Sequence, residues 1–293
     1  MFWFTLATCS ALLSAASAVL QKKILFRLNA LEFSFSVSLS IVTVTLFIPF
    51  FIDVVTIPLL TLSIIIGKSI LGASAFLLVM LSLQHNQISS ALPLLGLTPA
   101  ATAILSFIIL GEGLKEVEWL GVGLMIAGVY LLERKQKGKF FQTISVIVRT
   151  KNHYYIYGAV GLFAISSVFD RMLVHAMKVD PFVVLFYQHI VYVLFFSSML
   201  MIRHFSFKTV IQKSTEQFPL IITVAVLTLA YRFTQLEATK FAPVALVLAV
   251  KRTSILYASF FGGKLFSDDR LTEKLLGAIL IVAAGFIILR NVG

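Results

Sequence analysis

Five basic residues, Lys68, Arg171, Arg232, Lys251 and Arg252, sit inside long apolar stretches of the chain, and only Asp170 and Glu237 stand near them as candidate counter-ions. A charge at such a position costs roughly 2.5–3.5 kcal/mol on insertion scales, so each one needs a physical reason. The adjacent pair Lys251-Arg252 is the sharpest case. An Arg fork and a Lys point charge together suit a carboxylate or a phosphate. Alternatively the pair is structural, one cation meeting Asp170 or Glu237 while the other reaches a polar boundary. Two adjacent cations with so few carboxylates favour the anion site.

Tyr231-Arg232 is the second candidate, with a hydroxyl or ring for a bound molecule and a charge beside it. It too has a structural reading, in which Arg232 pairs with Glu237. Lys68, in Ile66-Gly67-Lys68-Ser69, is a candidate binding residue that could instead snorkel to the headgroups. Tyr187-Gln188-His189 is a polar cluster in an apolar stretch, and its Tyr187 and His189 are further binding candidates. Asp170 is expected to serve as a counter-ion to the basic pair, with Glu237 as the other coupling or counter-ion candidate.

The elements that must carry these residues follow from composition. The chain has 293 residues, 59% hydrophobic, 13% charged, with mean hydropathy +0.99. Soluble domains carry roughly 25% charged residues, so the solvent for most of this surface is lipid. Apolar runs of the ~20 residues needed to span a bilayer occur at about 2–20, 33–52, 59–83, 89–110 and 119–132, then at 154–174, 182–202, 218–236, 244–261 and 275–289. The expected fold is therefore an all-α membrane protein of ten transmembrane helices. A basic linker separates two sets of five, placing domain boundaries at 1–133, 134–152 and 153–293. Loops one, three, five, seven and nine hold 15 Lys and Arg against four in the alternate loops and C-terminus. That imbalance places the odd loops in the cytoplasm and both termini outside. The net charge of +11 thus reads as membrane orientation rather than nucleic-acid binding. The lone Cys9 excludes an intramolecular disulfide.

The two halves align with one another. At an offset of 149, Gln21-Lys22 meets Asp170-Arg171; at an offset of 156, Glu112 meets Asp268 and Gly121 meets Gly277. The change of offset puts seven extra residues in the second half, best placed between Arg203 and Glu216. An odd number of spans per copy inserts the second copy upside down, which gives two inverted five-helix repeats and a cavity between them.

Leu94-Leu95-Gly96-Leu97-Thr98-Pro99, followed by Ile109-Leu110-Gly111-Glu112 and Leu120-Gly121 to Ala127-Gly128, resembles the end of an EamA domain, the repeat unit of ten-helix drug/metabolite transporters. Ala249 to Ser254 with Phe266-Ser267-Asp268 resembles it again in the second half. The resemblance implies two EamA-like five-helix repeats and a secondary transporter in a cell membrane, plasma or bacterial inner. It further implies a small-metabolite substrate, no cofactor, no metal, and a monomer or homodimer. Lys251-Arg252 is similar to the phosphate-binding pair of plastid phosphate translocators, whose symmetric Lys is Leu95 here. With the basic pair, the implied substrate carries an anionic group, as in an amino acid, organic acid or phosphorylated compound. The small four-helix relatives in the drug/metabolite transporter superfamily couple protons to cation export through a Glu in their first helix; the first span here has no carboxylate, so the resemblance disfavours that route. Other classes considered are a flippase for a lipid-linked sugar phosphate and a membrane-embedded transferase using Asp268-Asp269.

Overall fold

A computed structural model describes residues 2–52, 57–111 and 153–269, with single positions between 116 and 283 beside them. Among these residues eight helical segments of 21–27 residues are long and apolar enough to cross a membrane. They are the first four and the sixth to ninth expected spans. The fifth and tenth, and the basic linker, lie almost wholly outside the described residues.

The first half begins with α1 (Phe2–Ile24), α2 (Ala30–Thr45) and α3 (Leu59–His85). Helix α1 buries a stripe of small residues, Ala7, Ala11 and Ala15 with Ser10 and Ser17, which lets a neighbour approach closely. It runs past the expected end because Lys22 is not a loop cation. Its ammonium turns onto the last carbonyls of α3, Leu83 at 2.5 Å and Asn86 at 2.9 Å, where a helix terminus leaves acceptors unpaired. Helix α2 opens on a capping box, in which Asn29 accepts from the Glu32 amide and Glu32 accepts from the Asn29 amide.

The fourth span is broken. Helix α4 (Ile88–Leu94) passes through a 3-10 turn at Leu95–Leu97 into α5 (Thr98–Leu110). Pro93 and Pro99 flank the turn, and neither can donate a backbone hydrogen bond. Gly111 ends α5 at φ +68°, the left-handed conformation that favours glycine at a C-cap.

The second half has α6 (His153–Arg171), which runs on through a π turn at Met172–Ala176, then α7 (Pro181–Ile202). Asp180 caps α7 by accepting from the Phe182 amide at 2.8 Å. Next come α8 (Phe207–Glu216), α9 (Phe218–Phe241), α10 (Val244–Lys251) and α11 (Ser254–Leu265). The short α8 falls in the stretch from Arg203 to Glu216, where the change of offset between the halves is expected to place extra residues. It packs Phe207 on Phe35 and pairs Lys213 with Glu32 at 2.9 Å. The ninth span, like the fourth, is interrupted, with the break at Arg252-Thr253 between α10 and α11.

Packing joins the halves rather than separating them. Helix α1 packs on α9, α3 on α6, α2 on α7, and the broken fourth span on the broken ninth. Helices α1 and α9 are antiparallel along their length, with Phe2 on Phe241, Ser10 donating to the Tyr231 carbonyl, and Ser17 meeting Thr228. Helices α1 and α3 end together through Lys22. The largest apolar cluster draws on both halves, setting Ile24, Phe33, Leu83 and Ile88 with Ile221 and Ala258.

Candidate functional site

The halves enclose a cavity of about 130 Å³. A single water needs ~10–15 Å³ on the same measure, so the space suits a small molecule. Its wall is apolar around Phe76, Val79 and Leu92 and polar opposite them, where α6, α7, α9 and α10 meet.

Asp170 on α6 is the centre of the polar side. It accepts from the Lys68 ammonium of α3 at 2.6 Å on one oxygen and from the Arg232 guanidinium of α9 at 2.9 Å on the other. Gln188 of α7 joins them through its carbonyl oxygen, accepting from Lys68 at 2.6 Å and Arg232 at 3.2 Å. Four helices thus converge on one hydrogen-bonded cluster. Lys68 is 1% exposed and lies behind Asp170, so it does not snorkel. With two donors on its carboxylate, Asp170 is the counter-ion of Lys68 and Arg232, not of Lys251 and Arg252 as expected. Glu237 is no counter-ion to the buried cations either. It pairs with Lys240 at 2.8 Å, one turn along α9, because its side chain leaves the helix away from the cavity side that holds Arg232.

Lys251 and Arg252 reach the cavity from the break in the ninth span. Lys251 donates to the Gln235 side-chain carbonyl and lies 4.4 Å from the centre of the Tyr231 ring, a cation–π contact. Arg252 donates to the Thr98 hydroxyl at 2.9 Å, across the interface between the two broken helices. Its Nε is buried with no hydrogen-bond partner. Among the described residues neither cation has a carboxylate within ion-pair distance. The two point different ways from adjacent positions at the end of α10, yet both border one cavity.

His189 and Tyr192 of α7 complete the polar wall. His189 is 2% exposed, its Nδ1 lies 2.9 Å from the Leu185 carbonyl, and its ring packs on Tyr192. Gly72 of α3 leaves the room that the Tyr192 hydroxyl occupies, since a Cβ there would stand 2.3 Å from that oxygen. Of the expected site residues, Lys251, Arg252, Tyr231, Arg232, His189 and Asp170 line the cavity, while Lys68 supports it from behind. Tyr187 does not line it and packs on Phe186 and in the cluster of Ile65 and Leu236. Gln235 and Thr98, which hold the basic pair, carry no charge, and nothing in the sequence marked either for that role. Arg171 is buried at the end of α6, donating to the Thr239 carbonyl at 2.5 Å.

Eight long apolar helices surround a buried, charged cavity, and residues 1–134 match the EamA-like transporter family. The chain carries an EamA-like transporter domain. It is a multi-pass membrane protein. A solved crystal structure of a protein superposes with a TM-score of 0.60 at 14% identity, over 98% of this chain and 94% of that one, a likeness of fold alone. No curated protein matches by sequence. Beside the EamA-like domain, Asp268 and Asp269 serve the packing of the halves. Asp268 accepts from the amide and hydroxyl of Ser89 at 2.9 and 2.6 Å, capping α4, and Asp269 accepts from Gln87 at 3.0 Å. Carboxylates committed to a helix cap do not favour a transferase.

Proposed function

We propose that the protein is a secondary transporter that moves a small metabolite bearing an anionic group, by alternating access between two inverted five-helix repeats. The observation that carries the charge preference is the state of Lys251 and Arg252. They border the cavity, are held only by neutral groups, and leave the Arg252 Nε without a partner. The one carboxylate lining the cavity among the described residues is already shared by two other cations. An incoming anion would therefore find unsatisfied charge and an unsatisfied donor, whereas a cation would find neither.

Inversion is supported by helix direction. Helix α3 runs parallel to α1, since their ends meet at Lys22; α9 runs antiparallel to α1, since Phe2, Ser10 and Ser17 meet Phe241, Tyr231 and Thr228 in descending order. Helices α3 and α9 hold the same place in the two halves, so equivalent helices run opposite ways. The packing pairs exchange under a swap of halves, α1–α9 for α6–α3, as a two-fold axis in the membrane plane requires. Rocking about the broken fourth and ninth spans would open the cavity to each side in turn.

The test is a thermal-shift screen of the purified protein against amino acids, organic acids, sugar phosphates and nucleotides, repeated with Lys251→Ala and Arg252→Ala. Anions should stabilise the wild type and lose that effect in both variants. Equal stabilisation of the variants sinks the anion site. Exchange of a stabilising anion across proteoliposome membranes then tests transport itself.

A further inference from the structure

The cavity has a second recognition element at His189, opposite in kind to the basic pair. The Leu185 carbonyl can only accept a hydrogen bond, so the Nδ1 that faces it at 2.9 Å carries the ring proton. In the uncharged ring this makes Nε2 an acceptor and nothing else, a tautomer set by the backbone. Most other acceptors beside it on the polar wall are taken or interchangeable. The Gln188 oxygen holds Lys68 and Arg232, the Gln235 oxygen holds Lys251, and both Asp170 oxygens are bound. The serine hydroxyls that line the cavity can turn to donate or accept. His189 is thus a fixed acceptor left for a ligand, as is the Gln21 amide oxygen further along the wall.

Its partner must be a donor, and the surrounding charge decides which kind. Arg232, Lys251 and Arg252 line the same cavity, and Lys68 stands behind it. An ammonium group would add a further positive charge with no free carboxylate to meet it, and low dielectric strengthens that repulsion. A hydroxyl donates without charge.

We propose that His189 Nε2 accepts a hydrogen bond from a substrate hydroxyl, so that the cavity selects small hydroxy acids over amino acids and over acids lacking the hydroxyl. This rests on the anion site at Lys251 and Arg252 and narrows the substrate class that such a site would take.

Matched acids of one carbon skeleton test it. Binding of L-lactate, L-alanine and propionate, and of L-malate, L-aspartate and succinate, is measured by calorimetry on the full purified chain and on His189→Leu. In the wild type one hydroxy acid should bind about tenfold more tightly than its partner lacking the hydroxyl, the scale of one neutral hydrogen bond, and more tightly than the amino acid. His189→Leu should bring the hydroxy acid down to that partner's affinity and leave the partner unchanged. Should His189→Leu not fold, His189→Gln supplies a carbonyl acceptor and should keep the preference. Equal wild-type binding of the hydroxy and unsubstituted acids, an amino acid that binds as well, or a preference that survives His189→Leu overturns the role of His189. If phosphates bind while none of the six acids does, this inference fails and the anion site stands. If no anion binds, both fail.

Discussion

Replacing Asp170 by Asn keeps the shape of the side chain and removes its charge, which tests the electrostatic core of the protein directly. In the wild type Lys68, Asp170 and Arg232 sum to one positive charge, and the Lys68 and Asp170 side chains are 0% and 2% exposed. Asp170→Asn leaves two buried cations facing only neutral amide oxygens, its own and that of Gln188, whereas Lys68→Met leaves the neutral pair Asp170–Arg232. Removing one partner of a buried pair costs about 3–5 kcal/mol, because a charge stays behind without compensation. At ~2 °C per kcal/mol for a chain of this length, Asp170→Asn should lower the midpoint of thermal unfolding in detergent by about 6–10 °C. Lys68→Met should cost less than half of that. The double variant Lys68→Met/Asp170→Asn, with only Arg232 left charged, should recover part of the loss of Asp170→Asn. Scanning fluorimetry on the three variants measures the order. An Asp170→Asn midpoint within ~2 °C of wild type, or a Lys68→Met loss larger than that of Asp170→Asn, refutes the assignment of Asp170 as the shared counter-ion.

Gly72→Ala should destabilise by about 1–3 kcal/mol, the usual cost of overpacking, because its Cβ would fall 2.3 Å from the Tyr192 hydroxyl. Tyr192→Phe in the same chain should restore much of that stability, since the ring carbon behind the hydroxyl stands 3.3 Å away. Asp268→Ala removes the side-chain acceptor at the start of α4 and should cost ~1 kcal/mol by thermal unfolding, with Asp268→Asn costing less. Lys213→Ala, by contrast, should stay within ~1 kcal/mol of wild type, because Lys213 is 45% exposed and Glu32 keeps its capping role without it.

The membrane-spanning helices were legible because a run of ~20 apolar residues has few alternatives. Their ends were less so. Lys22 and Lys23 read as loop charges, yet Lys22 closes α1 by reaching carbonyls 61 and 64 positions away, a contact that no local pattern announces. Pro93 and Pro99 flank the break in the fourth span, but its counterpart at Arg252-Thr253 contains no residue that stops a helix and shows only in three dimensions. For the site, ionisable residues in apolar runs stood out by type, and most of them face one cavity. Their pairing did not, since Asp170 could be matched to any nearby cation until packing chose Lys68, 102 positions away, and Arg232. Gln235 and Thr98 were silent because neutral polar residues are ordinary in such helices, and only the cations they hold give them a role.

The contact between Arg252 and Thr98 joins the two broken helices near where a two-fold axis would pass, and positions there lie close to their own counterparts. The counterpart of Lys251-Arg252 is Leu95-Gly96. Two identical halves bearing the basic pair would bring four uncompensated cations together, each pair repelling by about 2 kcal/mol at ~8 Å and an effective dielectric of ~20. A homodimer of single repeats could not avoid that arrangement, because symmetry would copy every charge. Under the proposed arrangement of two inverted repeats, joining the halves in one chain removes the constraint, and one half can hold the charge while the other supplies a neutral wall against it.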